Sequence, residues 1–206
     1  NKVGLCGLVQ SFADFLKLLW KQFVHGYSLR SWFSVIGCII MMVCSLVSIE
    51  IYSSVWSCIV SEYALLYFLV IFSFMGYGIL LVGWCSWSKY SLISCIRVSF
   101  SNVMFEMMFM CILILYGYLY LSYGDSEISS ILVLIIPVGF ICWLMVLMSE
   151  SNRTPFDYGE CESELVSGVS VEYSSVPFLV IFACEYLMMF IFSWISSFIF
   201  WDNSCT

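Results

Sequence analysis

The chain has 206 residues, of which 63% are hydrophobic and only 10% are charged, whereas soluble domains run at about 45 to 50% apolar and about 25% charged. That surplus of apolar surface excludes a soluble fold and predicts an all-α integral membrane protein, in which each backbone polar group is satisfied within its own helix. The net charge of -7 comes from acids gathered in a few loops, so nucleic acid is excluded as a partner.

Residues 5 to 23 come first. Gln10, Asp14, Lys17 and Lys21 recur there at helical spacing and make one polar stripe on an otherwise apolar segment. The pattern fits an amphipathic helix lying in the membrane interface, or equally the polar face of an ordinary surface helix. Five apolar runs follow, at about 32 to 49, 62 to 85, 101 to 121, 130 to 149 and 176 to 201. Each is long enough for roughly 30 Å of hydrocarbon. The expected organisation is an interfacial segment over 1–30, four transmembrane spans over 31–149, an acidic loop over 150–175 and a last span over 176–206.

Five alternating spans collect every basic residue on one side of the membrane: Lys2, Lys17, Lys21, Arg30, Lys89, Arg97 and Arg153. The other side receives Glu50, Glu62, Asp125, Glu127 and Asp202. By the positive-inside rule, the loop over 150–175 faces the matrix or cytoplasm. Ser174, Ser175 and Pro177 read as the cap and first turn of the last span, and Pro137 as a kink.

Eleven cysteines are scattered singly, with no C-x-x-C pair and one histidine, His25. Zinc and iron-sulfur sites need closer ligand spacings, so these thiols read as small lipid-facing or packing residues. Phe, Leu, Ile, Val, Ser, Cys, Tyr and Trp share thymine-rich codons, and their dominance points to a small organellar genome.

Charge inside the spans is rare, and a carboxylate at membrane depth marks an ion or proton pathway unless it is held structurally. Glu185 lies well inside the last run. Glu106 lies in the third, where it also fits an interfacial carboxylate near a helix start. In "SESNRTPFDYGECESELVSG", Thr154, Pro155 and Asp157 fit a helix start with threonine as cap. Were that helix to continue, Glu160 and Glu164 would share one face and Glu162 would lie opposite. Either this is a solvated acidic loop, or it is a partly buried chain of carboxylates able to pass protons.

"ESNRTPFDYGECESELVSG", followed by "VEYSSVPFLVIFACEY", resembles the signature region of the subunit 1 family of NADH:ubiquinone oxidoreductase, respiratory complex I. "NKVGLCGLVQSFADFLKL" and "KYSLISCIRVSFSNVMFE" are similar to two further family segments, so the resemblance covers nearly the whole chain. It implies a membrane-arm subunit of a proton-pumping translocase, forming part of a ubiquinone chamber and a carboxylate relay, in the mitochondrial inner membrane. Ubiquinone would be the substrate. NADH, flavin and iron-sulfur clusters would belong to other subunits of the membrane and peripheral arms, leaving this chain without a complete active site of its own.

Carried over residue by residue, the relay would comprise Arg97, Glu106, Glu150, Glu160, Glu162, Glu164, Glu172 and Glu185. Arg153, Phe156 and Asp157 would shape the loop or line the chamber, and Gln10 and Asp14 would border its entrance. Ser151 replaces the family's usual threonine. The chain begins inside a family motif and ends after the helix of Glu185, so a partial sequence or a split subunit is expected. Two other readings stay open, the homologous subunit of a membrane-bound hydrogenase and a proton-coupled transporter; a purely structural anchor would leave Glu106 and Glu185 replaceable.

Overall fold

The computed structural model describes residues 4–22, 29–56, 63–120, 123, 137–152, 155–157, 159 and 168–201. Every regular element among them is helical. A 3-10 turn, Leu5–Val9, leads into α1 (Gln10–Trp20). Then come α2 (Leu29–Trp56), α3 (Ala64–Cys85), α4 (Lys89–Tyr120), α5 (Pro137–Glu150) and α6 (Val176–Trp201). Within α2, α3, α4 and α6, the stretches Trp32–Ser54, Ala64–Cys85, Lys89–Leu119 and Val176–Phe200 are long and apolar enough to cross a membrane. Helix α5 is apolar but has 14 residues, a rise of only about 21 Å; the expected run over 130 to 136 lies outside the described residues.

Two boundaries differ from the hydropathy reading. Helix α2 continues to Trp56, and α4 starts at Lys89 rather than near 101. Lys89 and Arg97 interrupt the apolar run but not the helix, because Ser88 caps it: its Oγ accepts the amide of Ser91 at 3.2 Å. Just ahead, Trp87 takes a left-handed backbone with φ 63°, and the Ser86 hydroxyl donates to the Gly83 carbonyl at 2.8 Å. The turn is therefore short, and α3 and α4 run antiparallel.

Lipid supplies no hydrophobic drive between helices, so close approach and shape must hold them together. A Cβ on Gly37 of α2 would come within 3.1 Å of the Gly78 carbonyl of α3, and one on Gly78 would meet Met41 Cγ at 2.6 Å. Only hydrogen fits at this crossing. Further along, Phe68 and Phe72 of α3, Phe109 of α4 and Phe192 of α6 form an edge-to-face cluster with centroids 5.1 to 6.2 Å apart. Trp143 of α5 joins it, 5.3 Å from Phe109 and 5.9 Å from Phe200.

Buried serines do not disturb this core, because their hydroxyls donate to carbonyls of the preceding turn. Ser45 reaches Met42 at 2.9 Å, and Ser48 reaches Ser45 at 2.7 Å. Cys38, Cys44, Cys85, Cys95 and Cys184 are buried and outside any disulfide. Among the described residues no group of ligands could hold a metal.

Ser175 stands at the expected cap position, its carbonyl accepting the Leu179 amide at 3.2 Å as α6 begins at Val176 with Pro177 in its first turn. What differs is the partner of its hydroxyl. It donates to the Lys21 carbonyl at 2.6 Å, with the Leu18 carbonyl at 3.3 Å, and so satisfies the open end of α1. Ser175 itself is fully buried with φ 65°.

Candidate functional site

The acidic loop does not open with a helix. After α5 ends, Asn152 adopts φ 45°, with its amide donating to the Ser149 carbonyl at 3.2 Å. Asparagine tolerates this left-handed conformation better than most side chains, and such a residue ends a helix. Residues 155 to 157 are turn, bend and irregular chain rather than the helix start that Thr154, Pro155 and Asp157 resemble. The loop then folds back on α4. Gly159 packs against Val98, and a Cβ on Gly168 would run into the Gly159 carbonyl and come within 3.2 Å of Ser94 Cβ. The early start of α4 thus supplies the surface that carries the loop.

Where loop and helices meet they line a partly open cavity of about 80 Å³. Its lining is mostly apolar, with Met41 of α2, Phe72, Met75, Ile79 and Val82 of α3, and Ile181, Phe182 and Met188 of α6. Set among these are Asn102 of α4, Glu150 at the end of α5, Asn152 and Ser170 of the loop, and Glu185 of α6.

Helical spacing explains each placement. Glu150 follows Trp143 and Val146, both fully buried, on the inward face of α5. Ile181, Phe182 and Met188 flank Glu185 on the cavity face of α6. Val98 and Asn102 share a face with Glu106 one turn further along α4. Helices α4 and α5 pack together, and the carboxyl of Glu106 acts electrostatically on that of Glu150.

Glu150 and Glu185 therefore line one cavity, and Glu106 of α4 is near enough to Glu150 to act on it electrostatically. Glu150 is deeply placed: its Oε1 is buried with no hydrogen-bond partner among the described residues, as is Oδ1 of Asn152. Tyr173 holds the far end of the loop, its hydroxyl donating to the Val82 carbonyl at 2.7 Å.

The other expected residues lie elsewhere. Arg97 is exposed on α4 and lines a separate groove with Phe100, Ser101, Met104 and Phe105. Phe156 packs edge-on against Phe105 at 5.5 Å, and Asp157 is half-buried beside it in sequence. Glu172 is exposed in the turn before α6, and Gln10 and Asp14 are exposed on α1. Arg153, Glu160, Glu162 and Glu164 lie outside the described residues, as do His25, Glu62, Asp125, Glu127 and Asp202. Sequence reasoning passes over Asn102 and Asn152 as site residues. An amide one turn before Glu106, inside an apolar helix, is the available signal for the first.

Comparison with known proteins gives a consistent result. The sequence profile described as NADH dehydrogenase matches residues 1–204. NADH-ubiquinone oxidoreductase chain 1 of Mytilus edulis is 31% identical over 99% of this chain and 69% of its own length. An NADH-quinone oxidoreductase subunit from Neisseria meningitidis serogroup C is 32% identical over 97% of this chain and 60% of its own. Chain 1 of Neurospora crassa is 34% identical over 90% and 52%. The chain thus spans from about half to somewhat over two thirds of the length of these relatives. With the profile matching almost end to end, the chain belongs to the NADH dehydrogenase family.

Proposed function

We propose that this chain is a membrane-arm subunit of a proton-translocating NADH:ubiquinone oxidoreductase of the mitochondrial inner membrane. In this reading the cavity is part of the ubiquinone chamber, and Glu106, Glu150 and Glu185 belong to the path that couples quinone reduction to proton movement. NADH, flavin and iron-sulfur chemistry are assigned to partner subunits of the same complex. Residues 1–30 would lie at the lipid–water interface, a role supported by Phe12, Leu16 and Trp20 standing exposed on a helix that also carries Gln10, Asp14 and Lys17. Arg97, Glu160, Glu162, Glu164 and Glu172 are kept as further relay members. Arg153, Phe156 and Asp157 are kept as residues that shape the loop.

One observation carries the reading: Glu150 of α5 and Glu185 of α6 line one cavity whose remaining lining is mostly apolar. Reduction of a quinone takes up two electrons and two protons. In a low-dielectric site, the resulting change in charge shifts the protonation of neighbouring carboxylates strongly. Carboxylates flanking an apolar chamber would respond to that change and pass protons onward.

The test is Glu185→Gln, which preserves shape and hydrogen bonding but removes the titratable proton. Quinone-coupled turnover and pumping should be lost. NADH oxidation by an artificial acceptor, which bypasses the membrane arm, should stay near normal and so report assembly. Intact quinone reduction and pumping in the variant would assign Glu185 to structure alone and overturn the reading.

A further inference from the structure

The corner at which α5 turns into the acidic loop holds two buried acceptors without a donor among the described residues, Glu150 Oε1 and Asn152 Oδ1. Buried oxygens in folded proteins are almost always satisfied, by protein groups or by ordered water. Trp143 Nε1 is likewise buried without a partner, but that indole packs among Phe109 and Phe200 and takes no part in the cavity wall. The two oxygens differ in this respect. Both residues line the cavity, where Asn102, Ser170 and Glu185 add further polar atoms. A small guest that can donate hydrogen bonds and is offered several polar partners meets the requirements for a bound water.

Backbone geometry sharpens the point. At φ 45°, Asn152 occupies a position where glycine would be the ordinary residue. Glycine would make the same turn. What asparagine adds is an acceptor in the cavity wall, two residues beyond Glu150.

We propose that Glu150 and Asn152 together bind a water molecule at this corner, and that Asn152 is the positioning residue orienting it for proton transfer between Glu150 and Glu185. The inference rests on the coupling reading of the cavity. When Glu150 is protonated, its O–H donates to the water oxygen. One O–H of the water is held by Asn152 Oδ1. The other points along the cavity toward Glu185 and releases its proton to the next acceptor as the Glu150 proton arrives. Proton number is conserved and no electron moves. Glu150 is then recharged from the side of Glu106.

The experiment compares Asn152→Gly with Glu150→Gln in the assembled complex, with NADH oxidation by an artificial acceptor reporting assembly. Glycine keeps the left-handed turn and removes only the acceptor. Coupled turnover should fall about tenfold, the worth of one well-placed hydrogen bond, and its solvent deuterium isotope effect should rise. In infrared difference spectra, the carboxylic C=O band that disappears in Glu150→Gln should shift in Asn152→Gly, which a purely structural role would not produce. Asn152→Asp retains the turn and an acceptor, and should keep more turnover than glycine, with an altered pH profile. If Glu150→Gln abolishes coupling but Asn152→Gly leaves rate, isotope effect and band unchanged, the water-holding role is refuted while the coupling reading stands. If Asn152→Gly prevents assembly and Asn152→Asp does too, the amide serves the fold and the proposal fails. If Glu150→Gln itself leaves coupling intact, the reading beneath it fails.

Discussion

Tyr173, at the end of the acidic loop, donates its hydroxyl to the carbonyl of Val82, near the end of α3, at 2.7 Å. Burial holds the phenol neutral well above the ordinary tyrosine range, against a smaller opposing pull from its hydrogen bond with Ser34. Tyr173 is therefore a fixed donor at working pH. It ties the loop to α2 and α3 rather than exchanging protons.

Tyr173→Phe removes this tie while keeping the ring. The buried carbonyl of Val82 then loses a partner, a destabilisation of about 1 to 2 kcal/mol. The expected result is a lower thermal midpoint for loss of quinone-coupled activity, with the pH profile at neutral pH unmoved. A changed profile would give the phenol a titrating role.

Gly168 and Gly76 make a matched pair. Gly168 has φ 50° and its missing Cβ would strike the Gly159 carbonyl, whereas a Cβ on Gly76 would meet nothing within 4 Å. Gly168→Ala combines left-handed strain with a backbone collision and should destabilise the loop by about 2 to 3 kcal/mol. Coupled activity should fall with it. Gly76→Ala should be neutral or slightly stabilising, by up to about 1 kcal/mol. Thermal inactivation of the two variants side by side checks the difference.

Ser175 predicts a local effect. Its hydroxyl satisfies the last carbonyls of α1 at Lys21 and Leu18, so Ser175→Ala should release that end of the helix. Hydrogen exchange at Leu18 to Lys21 should accelerate by about tenfold, the loss of one hydrogen bond, while α3 exchanges as before. Unchanged exchange would mean that lipid or neighbouring contacts, not this hydroxyl, hold α1.

What can be read from the sequence follows from rarity and periodicity. The last span is legible at 176 to 201 because a long apolar run, interrupted only by Glu185 and a few serines, follows Pro177. Glu106 and Glu185 stand out because carboxylates inside apolar runs are few, whereas Glu150 reads as the start of the acidic loop and is reached only through the family resemblance. The start of α4 escapes such a reading since hydropathy counts Lys89 and Arg97 as breaks, whereas a helix needs only the Ser88 cap. The contact between Gly159 and Gly168 cannot be read at all: it joins two loop segments whose meeting depends on the surface of α4 beneath them. Asn152 looks like part of a motif. Its role as a buried acceptor emerges only when its surroundings are known.

The last prediction concerns Glu106 and Glu150. Glu106 sits on α4 and Glu150 at the end of α5, and the Glu106 carboxyl bears electrostatically on that of Glu150 where the two helices pack. If both serve one proton path, their effects on coupled turnover cannot be independent. Glu106→Gln and Glu150→Gln should each lower the rate, and the double variant should lose much less than the product of the two single losses, because a path broken once is already broken. Two residues acting on separate steps would instead give multiplicative losses. The double-mutant cycle, run on membranes matched for artificial-acceptor activity, separates these outcomes. A multiplicative result would detach Glu106 from the path through Glu150 and leave it as a structural carboxylate of α4.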